Sequence, residues 1–438
     1  MYYLLLIILI TVFYLFFYLF RENKNLKSIV EKREKAIDDL QKDIEGKLKK
    51  AQDVHKRMLP DGLSEPEDFL ISDYYKPAEY IGGDYYNLFK IDHESMNSFF
   101  NQYLFYFFDV SGHGIDSTLL SIFINDSIEN YFKLRHDPGE MVSTKDLMSY
   151  IDQRYQDEKF PDDYLLCIFI GVLDLDKKQL EFSARGFQFP FFKINSPDNI
   201  SKYNIGGLPI STAVGTMEKF NTEKEIDLEK DSSLFFSTDG LLESEKEQKL
   251  YYDRFDDLLK DYSFLPAPYL NDIIQKDFYN FMGNKNNRDD ITYLIMDYLK
   301  GKVEDLHFSK EDNLKVTLNK LEKRVSVSDN TQLQVKKLKT ILKNILKDKH
   351  KLLKKNTLNL KFVDNPSQFM LAVEDKSKKI NWNEFLKKYN FASEFIILED
   401  LSYQNINRNF FKQDKIFISK NKLGNKIYFL LFKNQSEV

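Results

Sequence analysis

Residues 103–114 read Tyr-Leu-Phe-Tyr-Phe-Phe-Asp-Val-Ser-Gly-His-Gly, an apolar run closed by one carboxylate and a glycine-bracketed turn. A short run with no polar alternation predicts a strand buried on both faces. Asp109 then stands where that strand ends, and the glycine turn leads into a helical pattern over Ser117–Leu134. Three other places repeat the arrangement: Tyr80-Ile81-Gly82-Gly83-Asp84, Phe235-Phe236-Ser237-Thr238-Asp239-Gly240 and Arg288-Asp289-Asp290-Ile291-Thr292. Taken singly, each has an ordinary reading as a turn or a helix cap. Together they put a carboxylate four times where an apolar strand meets a turn. Clustered carboxylates resist ionisation unless a cation sits between them, and all-oxygen ligation selects hard cations, Mg²⁺ or Mn²⁺. In Gly82-Gly83-Asp84 the two glycines are read as a sharp turn that brings the carboxylate close to another group.

Around these motifs, strands are expected at Tyr103–Val110, Tyr164–Leu173, Leu234–Ser237 and Ile291–Tyr298. Helices are expected at Ser117–Leu134, Thr144–Gln156 and Asp253–Leu259. The mixture predicts an α+β domain with a substantial sheet over residues 60–300. The single cysteine, Cys167, lies in an apolar run and is read as a buried strand residue in a reducing compartment.

The order Tyr75-x-Pro77-Ala78, Gly82-Gly83-Asp84-Tyr85-Tyr86, Asp109-Val110-Ser111-Gly112-His113-Gly114, Thr238-Asp239-Gly240 and Asp289-Asp290-Ile291-Thr292 resembles the PPM-type phosphatases, in particular their bacterial SpoIIE-like branch. Upstream, Ala51-x-x-Val54-His55-x-x-Met58-Leu59-Pro60 is similar to the helix leading into that domain, with His55 where a Gln is usual. The resemblance implies an α-β-β-α sandwich and a protein serine/threonine phosphatase. It also implies two divalent cations, Mn²⁺ or Mg²⁺, that activate water for in-line attack on phosphorus. Carried over, Asp109 bridges both cations, Asp84 and the Val110 carbonyl serve one, and Asp239 and Asp289 serve the other. These four aspartates are the expected catalytic residues, with Asp290 as a neighbour. Asn87 and Phe187 depart from the family pattern, which has Asp and His there. His113 is read as turn packing rather than as an acid.

Residues 1–20 carry no charge and are followed by Arg21, Lys24, Lys27, Lys32 and Arg33. At about 1.5 Å per residue this is long enough to span a bilayer, and the flanking charges place the rest in the cytoplasm. The expectation is a single-pass protein of the cell membrane with no extracellular sensor of its own. Over 21–59, Val30, Ile37, Ile44, Ala51 and Met58 share one heptad position, and Leu26, Leu40 and Val54 share another, where Arg33 and Lys47 interrupt. This predicts a parallel coiled-coil homodimer through 22–58, ended by Pro60.

Residues 301–438 are lysine-rich, with helices expected at 311–324 and 329–350 and strands at Leu358–Val363, Phe369–Val373, Lys415–Ile418 and Ile427–Phe432. This small α+β domain is weakly similar to histidine-kinase-like ATPases. Asn344 and Asp375 match, but Thr340, Ser377 and Lys379 stand where a Glu and two glycines belong, so a degenerate, non-ATP-binding partner-recognition domain is expected. The formal net charge of −5 gives no reason to expect nucleic-acid binding. The expected substrate is a phosphorylated regulator, of the STAS-type anti-sigma antagonist class, in a partner-switching pathway. The alternatives are a catalytically inactive scaffold with the same fold and, less favoured because no base-binding motif is present, a two-metal nucleotidyl cyclase.

Overall fold

The computed structural model describes residues 2–58, residues 63–298 apart from short stretches (65, 67, 92–100, 113, 135–139, 197, 217–222, 264 and 284–286), and, past residue 302, the strands and helical pieces named below. Helix α1 (Tyr2–Met58) is one continuous helix of 57 residues. Its apolar stretch with described side chains runs from Ile8 to Phe20, and among the described residues no helix is long and apolar enough to cross a membrane. The span expected over residues 1–20 falls partly outside them. Leu26, Val30, Ile37, Leu40 and Ile44 are exposed. At its C-terminal end the helix departs from the expected heptads. Gln52 Nε2 donates to the Tyr80 carbonyl at 2.7 Å, and His55 is buried beside Tyr75.

Two five-stranded antiparallel sheets follow. The first has the order β1-β12-β9-β6-β7 and the second β2-β3-β4-β5-β8. The strands are β1 (Phe69–Lys76), β2 (Tyr85–Lys90), β3 (Gln102–Val110), β4 (Leu166–Asp174), β5 (Gln179–Arg185), β6 (Phe191–Ser196), β7 (Asn199–Tyr203), β8 (Lys224–Asp227), β9 (Ser233–Ser237) and β12 (Ile291–Tyr298), with a small hairpin of β10 (Glu245–Lys246) and β11 (Lys249–Leu250) between the last two. Helices α2 (Ile115–Leu134) and α3 (Thr144–Glu158) cover the second sheet. The short α4 (Asp239–Leu242) follows β9, and α5 (Tyr252–Tyr262) and α6 (Ala267–Met282) cover the first sheet.

Strand β3 shows why the layers stack as α-β-β-α. Successive side chains point to opposite faces. Leu104, Tyr106, Phe108 and Val110 enter the core under α2 and α3. Tyr103, Phe105 and Phe107 enter the core between the sheets with Phe169, Phe182, Phe191 and Phe236. A third core packs Phe235, Ile295 and Tyr293 under α5 and α6. The inter-sheet core is aromatic, with Phe107 and Phe236 each about 5–6 Å from Phe105 and Phe169 in offset or tilted contacts. Each fully buried Phe contributes about 1.5–3 kcal/mol.

The C-terminal part forms a six-stranded sheet, order β13-β14-β15-β18-β17-β16. Its elements are β13 (Val303–Phe308), β14 (Leu358–Asp364), β15 (Gln368–Asp375), helix α7 (Trp382–Lys388), β16 (Ile396–Leu398), β17 (Lys415–Lys420) and β18 (Asn425–Phe432). The expected hairpin around Leu423-Gly424-Asn425 is present as β17 and β18, closing at Lys420 opposite Asn425. The expected helix 311–324 lies outside the described residues, and of 329–350 only pieces between 336 and 344 are described.

Candidate active site

Four elements bring carboxylates to one end of the paired sheets. Asp109 closes β3, Asp84 immediately precedes β2, Asp239 opens α4 after β9, and Asp289 lies just before β12. Asp84 is fully buried. Burial pushes its carboxyl well above the usual range, and neighbouring Asp290 and, more weakly, Asp239 add to this. The hydroxyls of Thr292 and Thr238 counter it by donating to Asp84 Oδ2 at 2.6 and 2.8 Å. Burial also raises Asp109, followed by the charges of Asp84, Asp239 and Asp289 and a hydrogen bond with Asp239. The four side chains expected from the sequence therefore act on one another electrostatically. The Val110 carbonyl oxygen faces the same loop, since a Cβ on Gly83 would lie 2.6 Å from it.

Asp290 has a part the sequence did not reveal. Buried between the sheet ends, its carboxylate accepts from the N–H groups of Ala78 at 2.7 Å and Gly83 at 2.6 Å, with a longer contact from Asp84 at 3.4 Å. It staples the loop that carries Asp84. A Cβ on Gly82 would collide with this carboxylate. Neither Gly82 nor Gly83 has positive φ. These glycines thus permit the close approach of a carboxylate that the sequence suggested, and the turn they sit in needs no positive φ. Behind the loop, Thr118 Oγ1 donates to the Gly82 carbonyl at 2.8 Å, and Ser121 Oγ donates to that of Gly83. Asp289 is half-buried, and its Oδ1 caps the Asp290 N–H at 2.8 Å.

Among the described residues no three His, Cys, Asp or Glu side chains form a ready cation cage. The chemistry of the donors nonetheless fits a hard dication. Every donor is oxygen, the carboxylates raise one another, and Asp239 Oδ1 is buried without a hydrogen-bond partner. Cys167 is half-buried, paired across the sheet from Asp109. Its thiol donates to the Gly186 carbonyl at 3.3 Å, and burial followed by the charge of Asp109 pushes it up, so it is no nucleophile. Phe187 lies in the inter-sheet core, 4.8 Å from Phe107, and Asn87 hydrogen-bonds Tyr106. His113 lies outside the described residues.

Residues 101–299 match the family model described as stage II sporulation protein E (SpoIIE). No curated protein matches the chain in sequence. Among solved structures, the PP2C domain of SiaA from Pseudomonas aeruginosa is similar at 22% identity, covering 59% of this chain and 98% of that one, with a TM-score of 0.48. The RsbU and RsbW domains of a Mycobacterium tuberculosis protein are similar at 13% identity over 84% of this chain and 95% of that one, with a TM-score of 0.43. The phosphatase domain of SpoIIE from Bacillus subtilis, with a fragment of its regulatory domain, is similar at 15% identity over 54% and 64%, with a TM-score of 0.44. Over residues 101–299, under half of its length, the chain is thus similar to SpoIIE-type protein serine/threonine phosphatases.

Proposed function

We propose that this chain is a divalent-cation-dependent phosphatase that removes phosphate from serine or threonine of a regulatory protein. The observation that carries the reading is the convergence of Asp84, Asp109, Asp239 and Asp289 from four elements on one another's charge. Two cations, Mn²⁺ or Mg²⁺, would supply a lowered water pKa and neutralise phosphate oxygens. Asp109 would be shared between them, Asp84 and the Val110 carbonyl would hold one, and Asp239 and Asp289 the other. Thr238 and Thr292 fix the rotamer of Asp84, and Asp290 fixes the backbone that presents it. A phosphorylated STAS-type antagonist is the substrate class this reading favours. In the same reading residues 1–20 anchor the chain in the cell membrane, the catalytic domain faces the cytoplasm, and 22–58 pair two copies.

The test uses the full chain with an aryl phosphate. Turnover is expected only with Mn²⁺ or Mg²⁺, and Asp109→Asn is expected to lose at least ~100-fold, because a shared ligand serves both nucleophile generation and charge neutralisation. Undiminished turnover in excess chelator, or in Asp109→Asn, would sink the two-cation reading. No turnover under any metal would favour the inactive scaffold.

A further inference from the structure

Next to the carboxylates the chain exposes large apolar side chains that catalysis on a phosphate does not require. Ile115, Leu119, Leu165 and Leu208 are 52%, 60%, 38% and 45% exposed. Backbone hydrogen bonds tie their segments to the end of β3 that delivers Asp109. Ile115 opens α2 directly after Gly114, and Leu119 lies one turn further on the same helix face. The Leu165 carbonyl accepts from Ser111 N at 2.8 Å, and its N–H donates to Ser111 Oγ at 2.7 Å. Leu166 and Ile210 exchange backbone bonds of 2.9 and 3.0 Å, which brings the loop carrying Leu208 alongside. Arg185 Nε donates to the Leu208 carbonyl at 3.0 Å. A groove of about 430 Å³, lined by Leu119, Phe123, Asn125 and Glu129 among others, continues this surface along α2.

The charge exposed among these apolar groups is acidic, while Arg154, paired with Glu158, lies over the Phe123 ring in the groove. Asp116, Asp162 and Asp163 are exposed among the apolar groups, and the stretches 108–120, 160–167 and 206–214 contain no Lys or Arg. An exposed apolar patch of this kind marks a place where something binds, and an acidic rim selects a basic partner.

We propose that this surface docks the polypeptide bearing the phosphorylated residue, selecting a segment with apolar side chains and Lys or Arg flanking the phosphoserine or phosphothreonine. The inference rests on the phosphatase reading above. An aryl phosphate needs only the carboxylate cluster. A polypeptide that places its phosphate there must also cover the ground beside Asp109, and these are the residues it meets.

The experiment uses the full chain with Mn²⁺ and three probes: an aryl phosphate, a phosphoserine peptide flanked by Leu and Lys, and a phosphoserine peptide flanked by Ser and Glu. The wild type is expected to favour the Leu/Lys peptide over the Ser/Glu peptide by at least tenfold in kcat/KM. In Leu119→Asp/Leu165→Asp the ratio of Leu/Lys-peptide to aryl-phosphate turnover is expected to fall at least tenfold, chiefly through KM. Asp163→Lys, a surface change that keeps the fold, is expected to shift preference toward the Ser/Glu peptide. Equal rates on both peptides with normal aryl-phosphate turnover would overturn the docking surface and leave the phosphatase reading standing. Loss of self-association in Leu119→Asp, with peptide preference intact, would also overturn it, because the patch would then join two copies of the chain. No aryl-phosphate turnover with any metal would overturn both.

Discussion

Asp290 shows what a single side chain can do that its position in the sequence conceals. It lies 206–212 residues from the loop it holds, so no local pattern marks it apart from Asp289 beside it. Bonds from a buried carboxylate to backbone N–H groups are worth about 1.5–3 kcal/mol each. Asp290→Ala is therefore expected to lower unfolding free energy by at least ~2 kcal/mol and turnover by at least ~10-fold, measured by urea titration and aryl-phosphate assay. A variant with wild-type stability and rate would show that the loop is held by other groups. Asp109, in contrast, was legible, because an apolar run that ends in a carboxylate and a glycine turn is a local signal. Gly82 and Gly83 were legible as a place of close approach, but not which groups approach. What excludes a Cβ there is the Asp290 carboxylate and the Val110 carbonyl, neither adjacent in sequence.

Among the elements, the strands at β3, β4, β9 and β12 were readable because burial on both faces leaves short, unbroken apolar runs. Helix α6 was not singled out. Tyr269, Leu270, Ile273, Ile274 and Phe278 keep helical spacing, but aromatic and branched residues are equally the vocabulary of strands. That helix also meets β12 in a titratable contact. Asp297, fully buried, accepts from the Ala267 N–H at 2.6 Å and from Ser233 Oγ at 2.6 Å. Burial raises its carboxyl from 3.8 to about 6 despite these bonds. A carboxyl raised in the folded state contributes stability that is complete below about 3.8 and is lost as pH rises through about 6. The expected loss over that window is on the order of 3 kcal/mol. Asp297→Asn, which keeps only one acceptor, should start less stable and vary less between pH 4 and 6.5. Denaturant melts at a series of pH values check this, and parallel slopes for the two proteins would exclude Asp297 as the source.

At the scale of the whole molecule, association turns on α1. Exposed Leu26, Val30, Ile37, Leu40 and Ile44 along α1 are what an unpaired seam looks like, and a second copy would cover them. Ile37→Asp with Ile44→Asp is expected to convert a dimer to a monomer by placing charge in the seam. A monomeric wild type by light scattering at micromolar concentration would remove the dimer. The C-terminal sheet is expected not to bind nucleotide. Asp375 ends β15, but Ser377 and Lys379 stand where bare backbone would have to approach a ligand. Titration of the full chain with Mg-ATP should give no stoichiometric heat, and a low-micromolar isotherm abolished by Asp375→Ala would show a working site. The three-layered aromatic interior of the phosphatase domain contains Phe and Tyr throughout, while the chain's one tryptophan, Trp382, begins α7 in the C-terminal part. Indole emission therefore reports from one half of the chain and near-ultraviolet tyrosine dichroism is weighted to the other. Two optical signals, recorded on the same unlabelled sample, can show whether the halves melt together or one after the other.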